Sequence, residues 1–237
     1  MRKTEFANDE YYHIYNRGVD KREVFCEERD YLRFLIDFRL FNNTSKKEKR
    51  DFILKNKLSN SELGSGYPEP SSELDNLLSK ELLSFLKSLP KLVEIICYCL
   101  NPNHYHFILK QLMDNGISKF MHKLDLGFTH YFNIKYDRSG SLFQGPFKAK
   151  HIDTNEYLLW LSGYVNGNAE IHKIAKAENY KWCSYQDYLG IRNGTLCDKK
   201  IILSQFKDIG EYKKYVEMVI RESSKRKDME EYFIEKI

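Results

Sequence analysis

The chain has 237 residues, of which 42% are hydrophobic and 30% charged, with a net charge of +4. That balance suits one sizeable buried core, or one core with an appendage, and it permits contact with nucleic acid without demanding it. No apolar run approaches a membrane span, the N-terminus lacks a signal-peptide pattern, and five irregularly spaced cysteines argue against a disulfide framework or zinc knuckle, so a cytoplasmic protein is expected.

Residues 11–17 alternate in polarity and predict a first strand, broken by Gly18 and Asp20. Glu28 to Phe41 carries Tyr31, Phe34, Leu35 and Phe38 at spacings of three and four, the pattern of an amphipathic helix lying on a sheet. Asn42-Asn43-Thr44-Ser45 stops it, and Lys46 to Arg50 is a charge run. Gly64 to Ser72 has linker composition, and Leu77, Leu78, Leu82, Leu83 and Phe85 predict a short helix up to Pro90. Residues 44–90 therefore read as an insertion.

Val93, Ile95, Ile96 and Leu100 lead into a turn at Pro102, and a second apolar run leaves it, predicting a hairpin or two neighbouring strands. His104 and His106 sit two apart on the second strand, so both imidazoles face one side. Two such imidazoles can hold one divalent ion; the alternative is a pair of half-buried strand histidines. Cys97 and Cys99 alternate on the preceding strand as small packing residues. After the turn at Asp114-Asn115-Gly116, a long helical pattern runs from Ile117 to Tyr136. Leu142 to Lys150 is a loop leading into a last strand, and Asp153-Thr154 opens another helix with Glu156 in its first turn. On that helix Tyr157, Leu161, Tyr164 and Asn168 share one face. Gly163 and Gly167 suggest either a mobile helix and close approach of a ligand, or a packing contact and a C-cap. From Lys199 the chain predicts a helical tail that ends in charged residues.

The order β-α-(insertion)-β-β-α-β-α predicts an α+β, ferredoxin-like fold: an antiparallel sheet with helices on one face and the histidine strand central. The expected division is a catalytic domain over 1–190, with the insertion at about 44–90, and a helical extension over 191–237. Lys119, Lys123, Lys135, Arg138, Lys148 and Lys150 are interleaved with Phe128, Tyr131, Phe143 and Phe147 around the long helix and the following loop. Basic residues among aromatics suit single-stranded or hairpin nucleic acid, with Phe143 and Phe147 as stacking candidates.

Asn101-Pro102-Asn103-His104-Tyr105-His106-Phe107-Ile108-Leu109 resembles the His-hydrophobic-His signature of the single-tyrosine HUH transposases, in particular the REP-associated branch. The resemblance spans about residues 10–43 and 92–190. It extends to Asn16-Arg17-Gly18 at the end of the first strand, to Leu142 through Lys150, to Tyr164-Val165-Asn166-Gly167-Asn168, and to Trp182-Cys183-Ser184-Tyr185. It implies that His104, His106 and Asn168 hold Mg²⁺ or Mn²⁺ and that Tyr164 is the nucleophile. It further implies cleavage and rejoining of single-stranded or hairpin DNA through a 5′-phosphotyrosine, by a homodimer. Arg17 would meet a phosphate, or be only a solvated strand-end charge. Four positions depart from the pattern: Asn101 for Met, Pro146 for Arg, Ala169 for Pro and Cys183 for Ser. Lys148 or Lys150 could stand in for the family's arginine at the phosphate. No Walker motif or Gly-rich phosphate loop is present, so no nucleotide cofactor is expected. The competing expectations are a nucleic-acid-binding module of the same fold that does not cut, and a replication-initiator-like nickase.

Overall fold

Side-chain alternation along four strands sets the layout. β1 (Tyr11–Arg17), β2 (Val93–Asn101), β3 (His104–Gln111) and β4 (Lys148–Ile152) form one antiparallel sheet in the order β2-β3-β1-β4. The computed structural model describes residues 5–44 and 80–234. The charge run and linker expected within 45–79 lie outside the described residues.

Residues paired across neighbouring strands share a face of the sheet. Tyr12, Ile14, Tyr105 and Phe107 fall on one face through the pairs Tyr12↔Leu109, Ile14↔Phe107 and Asn16↔Tyr105. This is the apolar face. It is covered by α1 (Glu28–Phe41) and α3 (Gly116–Lys135); a further helix, α2 (Lys80–Ser88), lies between α1 and β2 in the chain. Phe38 meets the Phe107 ring edge-on at 4.6 Å and the Phe120 ring at 5.3 Å, and Phe34 lies 5.6 Å from Tyr105. Buried Asp30 ties the two helices together, accepting from Tyr131 Oη at 3.0 Å, Tyr136 Oη at 2.7 Å and Lys135 Nζ at 2.6 Å. The ferredoxin-like strand order expected from the element order is the one found, with helices on both faces of the sheet rather than the one expected.

The opposite face of the sheet carries further helices. α4 (Asn155–Asn166) packs on β2, β3 and β4, and α5 (Ile209–Ile234) packs on α4. Buried Tyr212 and Val216 of α5 join the main core, so the helical tail shares the core with the rest of the chain. Asn166 donates to Tyr212 Oη at 2.8 Å and accepts from Ser184 Oγ at 2.7 Å. Ser184 in turn donates its amide to Tyr98 O at 2.9 Å, and Leu100 donates to Trp182 O at 3.0 Å. The Trp182–Ser184 segment thus closes the outer edge of β2, where an unpaired strand would otherwise invite association.

The two glycines flanking Tyr164 resolve in favour of packing. A Cβ on Gly163 would come within 2.9 Å of Val219 Cγ2, and Gly167 meets Ile220 of the same helix while also capping α4. Gly163→Ala should therefore destabilise the protein by about 1–3 kcal/mol through overpacking, although the substitution alone favours a helix by about 1 kcal/mol. Adding Val219→Ala should recover most of the loss in denaturant titrations. No recovery would mean that the two helices do not meet there.

Candidate active site

The face that α4 covers only in part is polar, and strand register is what makes it so. The pairs Arg17↔His104, Tyr15↔His106, Tyr15↔Lys148 and His13↔Lys150 bring residues from three strands to the same side. Arg17, Lys148 and Gln144 border a cavity of about 280 Å³ whose walls include His104, His106, Tyr164 and His172. Gln144 is held there because its amide donates to Arg17 O at 2.9 Å, and Asn16 Nδ2 reaches Gly145 O at 3.1 Å. Gly145, at φ +97°, makes the turn that a side chain would strain.

His104 pairs through Nδ1 with Asn103 Oδ1 at 2.6 Å. An amide oxygen can only accept, so Nδ1 carries a proton, and an amide nitrogen can only donate, so Nε2, which meets Asn101 Nδ2 at 2.8 Å, offers its lone pair. That Nε2 lies 3.3 Å from Asn168 Oδ1. Two electron-rich atoms thus face each other in a buried setting, and the Asn101 amide nitrogen bridges them, at 2.8 Å from Nε2 and 2.5 Å from Oδ1. The Asn168 amide nitrogen is buried with no hydrogen-bond partner among the described residues. His106, 8% exposed, pairs through Nδ1 with His13 Nε2 at 2.8 Å. Burial, followed by the neighbouring imidazoles, pushes the His106 pKa well below the usual histidine value. Burial and then Lys150 lower His13 to about 4. Both rings are therefore neutral at pH 7, the state in which imidazole ligates a metal.

These donors fit a divalent ion: two imidazoles at right angles, with ring centroids 5.2 Å apart, offer nitrogens of the kind transition ions favour, and the amide oxygen beside one of them is of the carbonyl kind that Mg²⁺ and Mn²⁺ favour. Among the described residues no cluster of three or more His, Cys, Asp or Glu is arranged to hold a metal, so such a site would depend on the Asn168 oxygen.

α4 is started by Thr154, whose Oγ1 accepts from Tyr157 N at 3.1 Å. The helix ends at Gly167, and a single new turn, Asn168–Ile171, begins with Asn168 against His104. Tyr164 presents its ring edge-on to His106, with centroids 5.7 Å apart at 89°, and stacks on Trp160 at 5.5 Å. His104, His106, Asn168 and Tyr164 are therefore brought together within one chain.

The basic residues divide. Arg17 and Lys148 line the cavity, and Lys150, on the same sheet face, sits over the Tyr157 ring at 4.6 Å. Lys119 donates to Asp114 O at 3.1 Å and Lys123 to Asn43 O at 2.8 Å, both on α3 beyond the apolar face. Arg138 lies over the Phe132 ring at 5.5 Å. Phe143 is not available for base stacking: it is 5% exposed and packs edge-on against Tyr105 at 5.5 Å. Phe147 is likewise buried and stacks on Phe6 at 6.4 Å. Sequence reasoning passed over His13, His172 and Gln144. His13 alternates correctly with Tyr15 and Arg17, but only the strand register reveals its partner.

Residues 75–168 match the model of a protein family described as "Transposase IS200 like". That segment is thus similar to IS200-like transposases. Both strand histidines, Tyr164 and Asn168 lie inside the match, and β1 lies outside it. The family resemblance read from the sequence is thereby supported. No curated protein matches the chain. A solved structure of a REP-associated tyrosine transposase bound to a REP hairpin superposes with a TM-score of 0.51, covering 80% of this chain and 85% of that one at 12% identity; at that identity the likeness is one of fold. Among the described residues no helix is long and apolar enough to cross a membrane.

The His13 shift carries a stability consequence in the metal-free protein. Its pKa is about 4 folded against an ordinary 6.5, so between those values the unfolded state binds more protons. Stability is then complete above 6.5 and falls as pH falls toward 4. Denaturant midpoints measured from pH 7 to 4 should show this decline, and His13→Gln should make it shallower, leaving the share that His106, also lowered, contributes. An equally steep decline in the variant would contradict the assignment.

Proposed function

We propose that this IS200-like transposase segment cleaves and rejoins single-stranded DNA bearing a hairpin, with Tyr164 as nucleophile. The observation that carries this reading is the contact of the Tyr164 ring with His106, beside the facing lone pairs of His104 Nε2 and Asn168 Oδ1. The hairpin rests on the family resemblance and on the ligand of the structurally similar transposase.

Arg17 and Lys148 offer positive charge at the cavity wall, where a phosphate can be held for attack. Tyr164 Oη then attacks phosphorus while the bond from phosphorus to the 3′ oxygen breaks. The phenol gives up its proton and the departing 3′ oxygen takes one up, so the step is balanced. The products are a 5′-phosphotyrosine and a free 3′-hydroxyl. Rejoining is the reverse attack by a 3′-hydroxyl, and one phosphodiester is exchanged for another without a nucleotide. His104, His106 and Asn168 would hold Mg²⁺ or Mn²⁺, which supplies Lewis-acid charge for the phosphate oxygens and eases ionisation of a phenol whose ordinary pKa is about 10. Trp160, stacked on Tyr164, limits the motion of the attacking ring. The homodimer implied by the resemblance is not required for this chemistry, because every group named belongs to one chain.

A second reading is a hairpin-binding protein of the same fold that does not cut. It is favoured by Asn101, whose NH₂ group engages both His104 and Asn168. Covalent capture separates the two. With hairpin-bearing single-stranded DNA and Mn²⁺, the wild type should form a denaturant-resistant 5′-linked adduct that Tyr164→Phe abolishes and Tyr157→Phe retains. Absence of any wild-type adduct would support the binding reading. An adduct that survives in Tyr164→Phe but not in Tyr157→Phe would move the nucleophile.

Binding should also sort the basic residues. Replacing Arg17 and Lys148 with Ala should weaken DNA binding and reduce its salt slope by roughly one unit for each phosphate no longer neutralised. The Lys119 and Lys123 pair, engaged with backbone carbonyls, should leave the slope unchanged. The opposite pattern would place the DNA on α3.

A further inference from the structure

We infer that His13 is a positioning residue for the metal centre: it accepts the Nδ1 proton of His106 and so holds His106 in the one tautomer that presents Nε2 as a ligand. The inference rests on the metal reading of the proposed function.

The neutral imidazole has one proton for two nitrogens. If His106 ligates through Nε2, its proton must lie on Nδ1, and a buried N–H needs an acceptor. His13 Nε2 lies 2.8 Å away. To accept, His13 must itself carry its proton on Nδ1, so the two rings adopt matched tautomers. The same arrangement appears at the other histidine, where Asn103 Oδ1 takes the Nδ1 proton of His104 at 2.6 Å. Each strand histidine thus has an acceptor on Nδ1, one an amide and one an imidazole from a different strand. Groups in this outer position fix ligand orientation and basicity, and their loss commonly lowers metal affinity by about 10–100-fold.

Packing holds His13 in place. On β1 it lies two pairs along, and so on the same face, from Tyr15, the residue opposite His106. The His13 and His106 rings are nearly parallel, 19° apart with centroids at 5.1 Å, and Tyr15 stacks against His106 at 5.7 Å. The His13 and Tyr15 centroids are themselves 4.9 Å apart, so the three rings form one cluster and His106 packs against both rings supplied by β1. The family match begins at residue 75 and leaves His13 outside, so this contribution comes from the strand geometry alone.

Mn²⁺ binding by calorimetry, together with circular dichroism, tests the inference on the full chain. His13→Met keeps bulk but offers no comparable acceptor, and it should lower Mn²⁺ affinity by about 10–100-fold. His13→Gln restores an acceptor oxygen and should remain within a few-fold of wild type. Hairpin-DNA binding without metal should be unchanged in both. Wild-type affinity in His13→Met, or equal losses in the two variants, would overturn the role of His13. Should His13→Met fail to fold, ¹⁵N spectra of histidine-labelled wild type with Mg²⁺ decide: Nδ1–H tautomers at both His13 and His106 support the inference, and an Nε2–H tautomer at His106 overturns it. If wild type binds no Mn²⁺ and His106→Ala changes nothing, the metal reading itself fails; if wild type binds and His106→Ala does not, that reading stands whatever His13 does.

Discussion

Everything at the candidate site depends on the register between β1 and β3. Side chains on a strand alternate faces, so a slip of one residue would send a strand's whole set to the other side. In the register observed, Tyr15 lies opposite His106 and Arg17 opposite His104, while Ile14 opposes Phe107 on the apolar side. The hydrophobic demand of α1 and α3 on one face therefore sets the polar constellation on the other. Burial of Phe107, Tyr105 and Ile14 cannot be separated from presentation of His106, His104 and Tyr15.

A second constraint acts through α4, which must reach the same face with Tyr164 turned toward the histidines. Its position is determined from behind. Close approach of α5 at Gly163 and Gly167 and the hydrogen bonds of Asn166 with Tyr212 and Ser184 leave it little freedom. The nucleophile proposed here therefore rides on an element locked to both the sheet and the C-terminal helix. That suits chemistry needing a phenol held near a phosphate, since a misplacement of about 1 Å can cost orders of magnitude in rate. The break at Gly167 then lets Asn168 turn toward His104.

Much of this was legible in the sequence because it is local. Two histidines two residues apart on a strand, and Tyr164 with Asn168 four apart near a helix end, are patterns that short-range geometry sets. The ferredoxin-like order followed from alternating periodicities. His13 was not legible: its partner is 93 positions away, and no pattern within β1 announces which strand it will pair with or in what register. Phe143 misled for the converse reason. Its loop composition suggested exposure, but a bridge between Gly18 and Phe143 draws the loop onto the sheet and buries the ring against Tyr105. Lys119 and Lys123 looked like part of a basic surface because charge can be counted along a chain, whereas the carbonyls that engage them come from the fold. The two glycines beside Tyr164 could be read either way until the C-terminal helix was seen to meet them.

The central claim is that one chain supplies the metal donors and the nucleophile to one cavity. Mixing two inactive variants tests it most directly. Tyr164→Phe retains the histidines, and His106→Ala retains the tyrosine; neither alone should form a covalent adduct with hairpin-bearing single-stranded DNA and Mn²⁺. Assembly of the site within one chain predicts that the mixture stays inactive while wild type at the same concentration forms the adduct. An adduct in the mixture, carried by the His106→Ala chain, would show that the tyrosine works on a neighbouring subunit's histidines and would contradict the arrangement described.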